Sequence, residues 1–244
     1  MVTKDYYSGQ GEVWIAPIKA GVTGKYRFLG NVPELEIATE VDKVEHKESS
    51  SGQRLTDHVL TKEKKVSFKA TIEELSDDNV ALAFQGKKTE IAGGKVTDEE
   101  IADVVAGDTV FLSGIGFADL KVKDSNTSAA TTLTEGTHYA VDARFGKVTL
   151  LDLSGLTLPL KATFTKAKTV QIEFMTENVE GYALKFLGLN TAKSDEPVMV
   201  ELLKTSIDPA KTWALIQDEL GSLELDGDVL AVDGKMVVVT RMVK

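Results

Sequence analysis

Histidine is the first residue type to examine for chemistry, because it serves both as a metal ligand and as a general base near neutral pH. The chain has three, His46, His58 and His138, and it contains no cysteine. No two histidines stand at His-x-His or His-x-x-x-His spacing, so a metal site would need ligands from remote segments. The lack of cysteine excludes disulfides, thiolate metal sites and cysteine nucleophiles. We expect solvated or packed histidines and no bound metal.

Adjacent carboxylates are frequent and raise the question of acid–base catalysis. They occur at Glu73-Glu74, Asp77-Asp78, Glu99-Glu100 and Asp218-Glu219. Neighbours in sequence point to different sides of a strand or helix, so adjacency alone makes no catalytic pair. A glycoside hydrolase would place two carboxylates in a cleft, which aromatic side chains usually line, and aromatic residues make up 7% of this chain. The carboxylates therefore do not predict a hydrolase.

Glycine-rich phosphate loops are also missing. Gly114-Ile115-Gly116 lacks the third glycine and the following helix of a dinucleotide-binding loop. Gly86-Lys87-Lys88-Thr89 lacks the upstream glycine of a nucleotide-binding P-loop, and no Gly-x-Ser-x-Gly elbow occurs. We predict that the protein is not an enzyme and holds no cofactor.

Composition indicates a folded, acidic protein. The chain has 244 residues, of which 42% are hydrophobic and 27% charged, and a formal net charge of −10. This length allows one large β domain or two small ones. No segment has the ~20 apolar residues of a membrane helix, and the N-terminus lacks the apolar core of a signal peptide. The acidic balance argues against a surface that grips nucleic acid, because such surfaces cluster Lys and Arg.

Two alternating segments flank a long polar stretch and predict a hairpin. Leu35, Ile37 and Val41 alternate with glutamates, and the period of two continues at residues 66–72. Antiparallel pairing of these strands would bring a row of Glu and a row of Lys close together on the polar side. The residues between them, 39–65, form a charged hairpin arm. We expect this arm to contact another copy of the chain through Lys47, Glu48, Arg54 and Asp57.

Helix signals occur at three places. Ser76 can cap a helix over residues 77–85, which Gly86 ends. Thr97 and Glu100 have capping-box spacing, which locally predicts a helix down to Ala106, whereas the flanking residues favour extended chain. Asp208-Pro209 predicts a helix start, followed by Trp213, Ile216 and Leu220 on one face. Near the C-terminus, Asp233-Gly234 between apolar runs is a hairpin signal.

A small β unit is predicted within a larger domain. Short apolar runs over residues 107–165 are separated by turn residues at regular spacing, as in a sandwich or barrel. We read residues 107–165 as an inserted small β domain, and residues 1–106 and 166–244 as the domain that receives it. The predicted fold is mainly β.

Several stretches, in consistent order, resemble the major tail tube proteins of long, flexible-tailed bacteriophages (siphophages). They are GEVWIAPI (11–18), GKYRFLGNVPELEI (24–37), EHKESSSGQR (45–54), LTKEKKVSFKATIEELSDDNVALAFQG (60–86), LTEGTHYAVDARFGKVTLL (133–151), EPVMVELLKTSIDPA (196–210) and LIQDELGSLELDGDVLA (215–231). The pieces are structural rather than catalytic. Together they span most of the chain. Two local departures from the family pattern are His138, which replaces an acidic residue before the tyrosine, and the polar loop at residues 125–134.

The resemblance implies a tail-tube-type β-sandwich with a flanking helix and the hairpin arm, the inserted domain lying on the outer surface of the tube. It further implies that six copies form a ring and that rings stack into a hollow tube, which conducts phage DNA into the host without binding it specifically. The implied partners are the chain itself, a tape measure protein, and tail terminator or distal tail proteins. The implied location is the virion, after assembly in the host cytoplasm.

Two other classes of function stay open at this stage. A carbohydrate-binding or adhesin-like β module of a virion or cell surface would show a groove with exposed aromatic residues, and it would elute as a small species. An enzyme built on a β-sandwich would need a clustered acid–base constellation, which the sequence does not display.

Overall fold

A computed structural model describes residues 5–242 of the chain. The fold is mainly β. The chain divides into two compact units, unit 1 with residues 1–88 and 172–244 and unit 2 with residues 89–171. Unit 2 extends further along the sequence, at both ends, than the insertion predicted at residues 107–165. In the described part of the chain, no helix is long and apolar enough to cross a membrane.

Unit 1 is built on a nine-stranded sheet and one helix. Its elements are β1 (Gly9–Lys19), β2 (Val22–Thr23), β3 (Arg27–Phe28), β4 (Glu34–Lys47), β5 (Thr56–Ile72), α1 (Asp77–Ala83), β14 (Gly181–Asn190), a 3₁₀ turn (Thr191–Lys193), β15 (Glu196–Ile207), β16 (Leu223–Val229) and β17 (Val237–Arg241). The strand order is β2-β1-β14-β15-β16-β5-β4, with β3 paired to β1 and β17 paired to β15. Among the described residues, the paired strands of this sheet run antiparallel.

The sheet of unit 1 curves round its core. The Leu29 N–H donates to the Val13 carbonyl of β1 (2.9 Å), and the Glu73 N–H, just after β5, donates to the Asn31 carbonyl (3.0 Å). In a flat sheet, β1 and β5 would lie ~19 Å apart, since three strands separate them. The two residue steps from Leu29 to Asn31 span at most about 7 Å. The sheet must therefore bend to bring its two ends together.

The core of unit 1 follows from alternation along the strands. Val13 and Ile15 of β1, and Phe68, Ala70 and Ile72 of β5, are buried and belong to one hydrophobic cluster with residues of β14, β15 and β16. Removing a large aliphatic or aromatic side chain of this kind from water stabilises the fold by about 1.5–3 kcal/mol.

Helix α1 lies within the range that the sequence predicts. Ser76 is its N-cap and accepts from the Asn79 N–H (3.3 Å), while Asp77 and Asp78 occupy the first turn, where the helix dipole favours negative charge. Val80 and Ala83 are buried in the core of unit 1. A seven-residue helix does not persist alone, so α1 depends on this packing.

Two predicted helices do not form. Residues 97–101 belong to strand β7 (Gly94–Ile101), which pairs with a strand of unit 2, and Asp98 has a φ of 54°, outside the α-helical range. The helical alternative for residues 97–106 is therefore wrong. The helix predicted to follow Asp208-Pro209 does not form either. The segment between β15 and β16 has no regular secondary structure.

The turn predicted at Asp233-Gly234 forms, but the predicted hairpin of its two flanking strands does not. Both residues have positive φ (49° and 75°), as a type I′ turn requires, and Val232 and Lys235 form a bridge across them. The flanking strands β16 and β17, however, do not pair with each other. Both pair with β15, at residues 205–207 and 198–202 respectively, so the turn is an excursion between two collinear strands.

Unit 2 has its own core between two three-stranded sheets. Its strands are β7, β8 (Thr109–Phe111), β9 (Ala118–Lys123), β10 (Tyr139–Asp142), β11 (Lys147–Leu150) and β12 (Leu160–Lys166), in the orders β10-β11-β8 and β7-β12-β9. Buried side chains include Val122, Val148 and Phe164. Two further strands, β6 (Lys87–Ile91) and β13 (Thr169–Glu173), pair with each other where the chain passes between the units.

Candidate functional site: the hairpin arm and the acidic face

The hairpin arm is the outer part of β4 and β5. The two strands pair from Glu34 opposite Thr71 to Lys47 opposite Thr56. Below the arm, side chains of β5 from Phe68 onward alternate into the core, whereas β4 and β5 are exposed on both sides from residue 39 to residue 65. A two-stranded hairpin of this length with no core of its own is suited to contact another surface.

Two irregularities change the direction of side chains along the arm. The register shifts between Asp42 and Lys43, where Lys62 is the extra residue, and again between His46 and Lys47, where Asp57 is the extra residue. A β-bulge of this kind re-aims the side chains beyond it. As a result, Leu60 of β5 lies on the side that carries charged residues at the base, where its partner Val44 already lies by alternation along β4.

Glu48 holds the tip together from inside. Its carboxylate accepts from the backbone N–H groups of Ser50 (2.7 Å) and Ser51 (2.9 Å), and from both serine hydroxyls. These hydrogen bonds, above all those from Ser51, lower the pKa of Glu48 to about 2. The carboxylate that we expected to bind a neighbouring copy is therefore engaged within its own turn.

Asp57 is also engaged within the arm. Its Oδ1 lies 2.6 Å from Nδ1 of His46, and His58 stands directly opposite His46 in the register. Because Asp57 is the extra residue of a bulge, its position could not be deduced from simple alternation. The sequence predicts solvated or packed histidines and gives no sign of the pairing between His46 and Asp57.

Lys47 and Arg54 are the remaining expected contacts. Both are exposed, and neither forms an ion pair with another described residue. Arg54 has a φ of 51° and lies in the tip turn, close to the end of the hairpin. Of the four side chains that we expected to reach a partner, these two cations are the ones whose charges remain available.

One side of strands β4, β5 and β16 is strongly acidic. We call it the acidic face, and its carboxylates are Glu34, Glu36, Glu40, Asp42, Glu63, Glu224, Asp226 and Asp228. Lys65 and Lys69 of β5 lie on the same side and form ion pairs with Asp228 (3.1 Å) and Glu224 (3.1 Å). Hydrogen bonding to these carboxylates raises the pKa of both lysines.

The predicted rows of Glu and Lys do stand side by side, because Glu36 is opposite Lys69 and Glu40 is opposite Lys65. The two lysines nevertheless form their ion pairs with β16 on the other side. Carboxylates outnumber lysines on this face, so its net charge is negative. Exposed ion pairs of this type add little to stability, and their effect here is on the electrostatic potential of the face.

Two polar side chains of unit 2, Asp124 and His138, accept hydrogen bonds from the backbone. Asp124 is buried and accepts from the backbone N–H groups of Thr131 (2.6 Å) and Thr157 (3.3 Å), which lower its pKa. His138 Nδ1 accepts from the Thr134 N–H (2.9 Å). Among the described residues, no group of three or more His, Asp or Glu is placed to hold a metal ion.

Comparison with known families gives one match that spans nearly the whole chain. The model of the family UCP028589, described as a protein of unknown function, matches residues 6–239. The chain belongs to this family. The match covers both units, so membership applies to unit 1 and unit 2 together. A search of curated proteins finds no match.

Proposed function

We propose that this member of the UCP028589 family is a major tail tube subunit of a siphophage. In this proposal, copies assemble into hexameric rings, the rings stack into a hollow tube, and phage DNA passes through the channel. The protein would belong to the virion and would assemble in the host cytoplasm. Its partners would be further copies of itself, together with the tape measure, tail terminator and distal tail proteins of the same tail.

The acidic face is the observation that carries the proposal. A DNA conduit must not bind phosphate, and a surface dominated by carboxylates repels the DNA backbone. In the proposed tube, the acidic face of β4, β5 and β16 lines the channel. Glu36, Glu40 and Asp42 of β4 would supply most of the negative field, because the β16 carboxylate Asp226 lies 3.6 Å from Lys211 Nζ.

The hairpin arm supports the proposal in a second way. Its exposed apolar side chains and free backbone edges have no partner among the described residues of the same chain, and an unpaired edge of this length is an aggregation hazard unless another element covers it. A neighbouring subunit would provide that cover. Lys47 and Arg54 would then reach carboxylates of the next copy. Carboxylates outnumber cationic side chains in this chain, whose net charge is −10.

Assembly of the purified protein tests the proposal. Light scattering and negative-stain electron microscopy at increasing concentration should reveal six-membered rings or hollow filaments with a regular axial repeat. A small, monodisperse species that binds glycans would instead support the carbohydrate-binding or adhesin-like module.

A further inference from the structure

The segment between β15 and β16, residues 208–222, exposes large apolar side chains to an unusual degree. Leu215 is 77% exposed, Ile216 98% and Leu220 91%. The segment is anchored at its start, where the Ala210 N–H donates to the Ala83 carbonyl (2.7 Å) and Trp213 packs near Phe84. Beyond Trp213 it has no regular structure. Exposed apolar residues clustered in this way mark an interaction site.

The sequence of this segment is that of an amphipathic helix. It has a capping residue, Asp208, a proline at the first helical position, and a glycine at position 221 to end the helix. Trp213, Ile216 and Leu220 would share one face. The segment thus has the local signals for a helix, but no described residue of the same copy covers Ile216 or Leu220, and a short helix becomes stable only through such packing.

A groove elsewhere in unit 1 has complementary properties. It has a volume of about 690 Å³, and the lining includes Ile37, Val66, Val200, Val237 and Val239. Val239 is 55% exposed and Ile37 40%, so the apolar lining is incompletely covered by the chain itself.

The charges at the groove also match the segment. The charged residues that line it are Lys235 and Arg241, and no Asp or Glu is among its described lining residues. Neither cation forms an ion pair with a described residue. The segment carries Asp218 and Glu219 among its apolar side chains. In a chain of net charge −10, a groove bordered by cations alone is well suited to an acidic apolar segment.

The segment begins well away from the groove of its own copy. Val200 of β15 lines the groove, and the segment begins directly after Ile207, the last residue of the same strand. Seven residues of extended strand separate these points by ~23 Å. A head-to-tail arrangement of copies would bring these two complementary surfaces together. Such a contact is heterologous and continues from copy to copy.

We propose that residues 213–220 of one copy dock in this groove of the next copy and become helical as they do so. Ile216 and Leu220 pack against Val239 and Ile37, while Asp218 and Glu219 reach Lys235 and Arg241. This inference rests on the proposed function, because it assigns the contact between successive subunits along the tube.

Engineered cysteines provide the test, since the natural chain has none. Ile216→Cys and Val239→Cys chains are purified separately, mixed and oxidised mildly. We expect a disulfide-linked dimer from the mixture and none from either chain alone, while a chain with both substitutions should give a ladder of multimers. Leu187→Cys is the matched control for the groove, because Leu187 is 41% exposed and lies on the opposite side of the sheet. It should not cross-link to Ile216→Cys.

Charge reversal provides an independent test. Asp218→Lys with Glu219→Lys should reduce the cross-linking yield at least tenfold, and Lys235→Glu with Arg241→Glu in the partner should restore it. Circular dichroism should show a gain of helix when the two cysteine chains are linked.

The outcomes separate this inference from the proposed function. Rings or tubes without the 216–239 cross-link would overturn the inference and leave the tube intact. Cross-linked head-to-tail chains that never form rings or tubes would support the contact and contradict the tube. No association at any concentration would overturn both.

Discussion

Lys65 Nζ lies 3.1 Å from Asp228 Oδ1, although Glu40 stands directly opposite Lys65 in the β4–β5 register. Lys65, on the central strand β5 of the acidic face, therefore forms its ion pair with β16 and not with β4. Lys69 follows the same pattern with Glu224 (3.1 Å). The carboxylates of β4 therefore lie on the flank of the acidic face that no described ion pair neutralises.

Reversing the charge of β4 should create a DNA-binding surface. Glu36→Lys, Glu40→Lys and Asp42→Lys together turn the β4 flank of the acidic face from acidic to basic, so this flank becomes attractive for phosphate. We expect the variant to retard duplex DNA at low salt, and we expect the unmodified protein not to do so. The logarithm of its affinity should fall with the logarithm of salt concentration, by about 0.9 for each phosphate contacted. Electrophoretic mobility and fluorescence anisotropy at several salt concentrations measure this.

A control for this experiment reverses three exposed carboxylates elsewhere, Glu100→Lys, Glu135→Lys and Glu177→Lys. It changes net charge by the same amount. If the control binds DNA as tightly as the β4 variant, overall charge decides the effect and the acidic face has no special role.

Glu48 should titrate far below an ordinary glutamate. Its pKa in the folded protein, about 2, lies below the ordinary glutamate value of 4.5, because Ser51 and Ser50 donate hydrogen bonds to the carboxylate. The stabilisation of the tip turn is therefore fully present above pH 4.5 and is lost as the pH falls towards 2. Side-chain carboxyl chemical shifts across this range should give the midpoint, and a midpoint near 4.5 would contradict the turn described here.

Removing the Glu48 carboxylate should loosen the tip and leave the core unchanged. In Glu48→Ala, we expect the amide protons of Ser50 and Ser51 to exchange severalfold faster, while amides of the core strand β1 keep their rates. Glu45→Ala is a suitable comparison, since Glu45 contributes a single long contact to Thr56 (3.4 Å). Equal acceleration in both variants would show that the Glu48 hydrogen bonds do not hold the turn.

Asn79 should be critical for stability. Its side chain is buried, accepts from Arg27 Nη1 (2.6 Å), and donates to the carbonyls of Leu29 (2.8 Å) and Glu74 (2.8 Å). Asn79→Ala leaves all three groups without this partner, so we expect a loss of about 2–4 kcal/mol in the free energy of unfolding. Urea unfolding measures it. Asn126→Ala, in the polar loop of unit 2, should cost clearly less, and equal costs would refute the prediction.

The hairpin arm should be needed for assembly and not for folding. Deleting residues 48–57 removes none of the buried side chains of the unit 1 core. We expect the deletion variant to keep its β signal in circular dichroism and to form no tubes. A milder variant, Lys47→Glu with Arg54→Glu, should weaken assembly while preserving the tip. Normal tubes from the deletion variant would contradict the role given to the arm, as would loss of the β signal.

Local patterns predicted the elements that depend on local physics. Alternation at Leu35, Ile37 and Phe68 placed the paired strands of the hairpin, and the cap at Ser76 placed α1. The bulge at Lys62 was not predictable, because an extra residue leaves no mark in composition, yet it reverses the sides of the β5 residues between it and the second bulge. The pairing of His46 with Asp57 depends on a second bulge and was missed for the same reason.

Other predictions failed where tertiary partners decide. Capping-box spacing at Thr97 and Glu100 indicated a helix, but pairing with β12 makes the segment a strand. Asp233-Gly234 forms the expected turn, but β15 takes up both flanking strands. The helical pattern around Ile216 is not realised, because no apolar surface of the same copy meets it. Sequence periodicity does not show which surface a segment packs against in the folded chain.

The most direct test of the proposed tube is negative-stain electron microscopy of the concentrated protein, with light scattering on the same sample. The account predicts six-membered rings or hollow filaments with a regular axial repeat, and it predicts that both disappear when residues 48–57 are deleted. Particles that remain small and monodisperse at every concentration, including after addition of preformed tail ends, would contradict it.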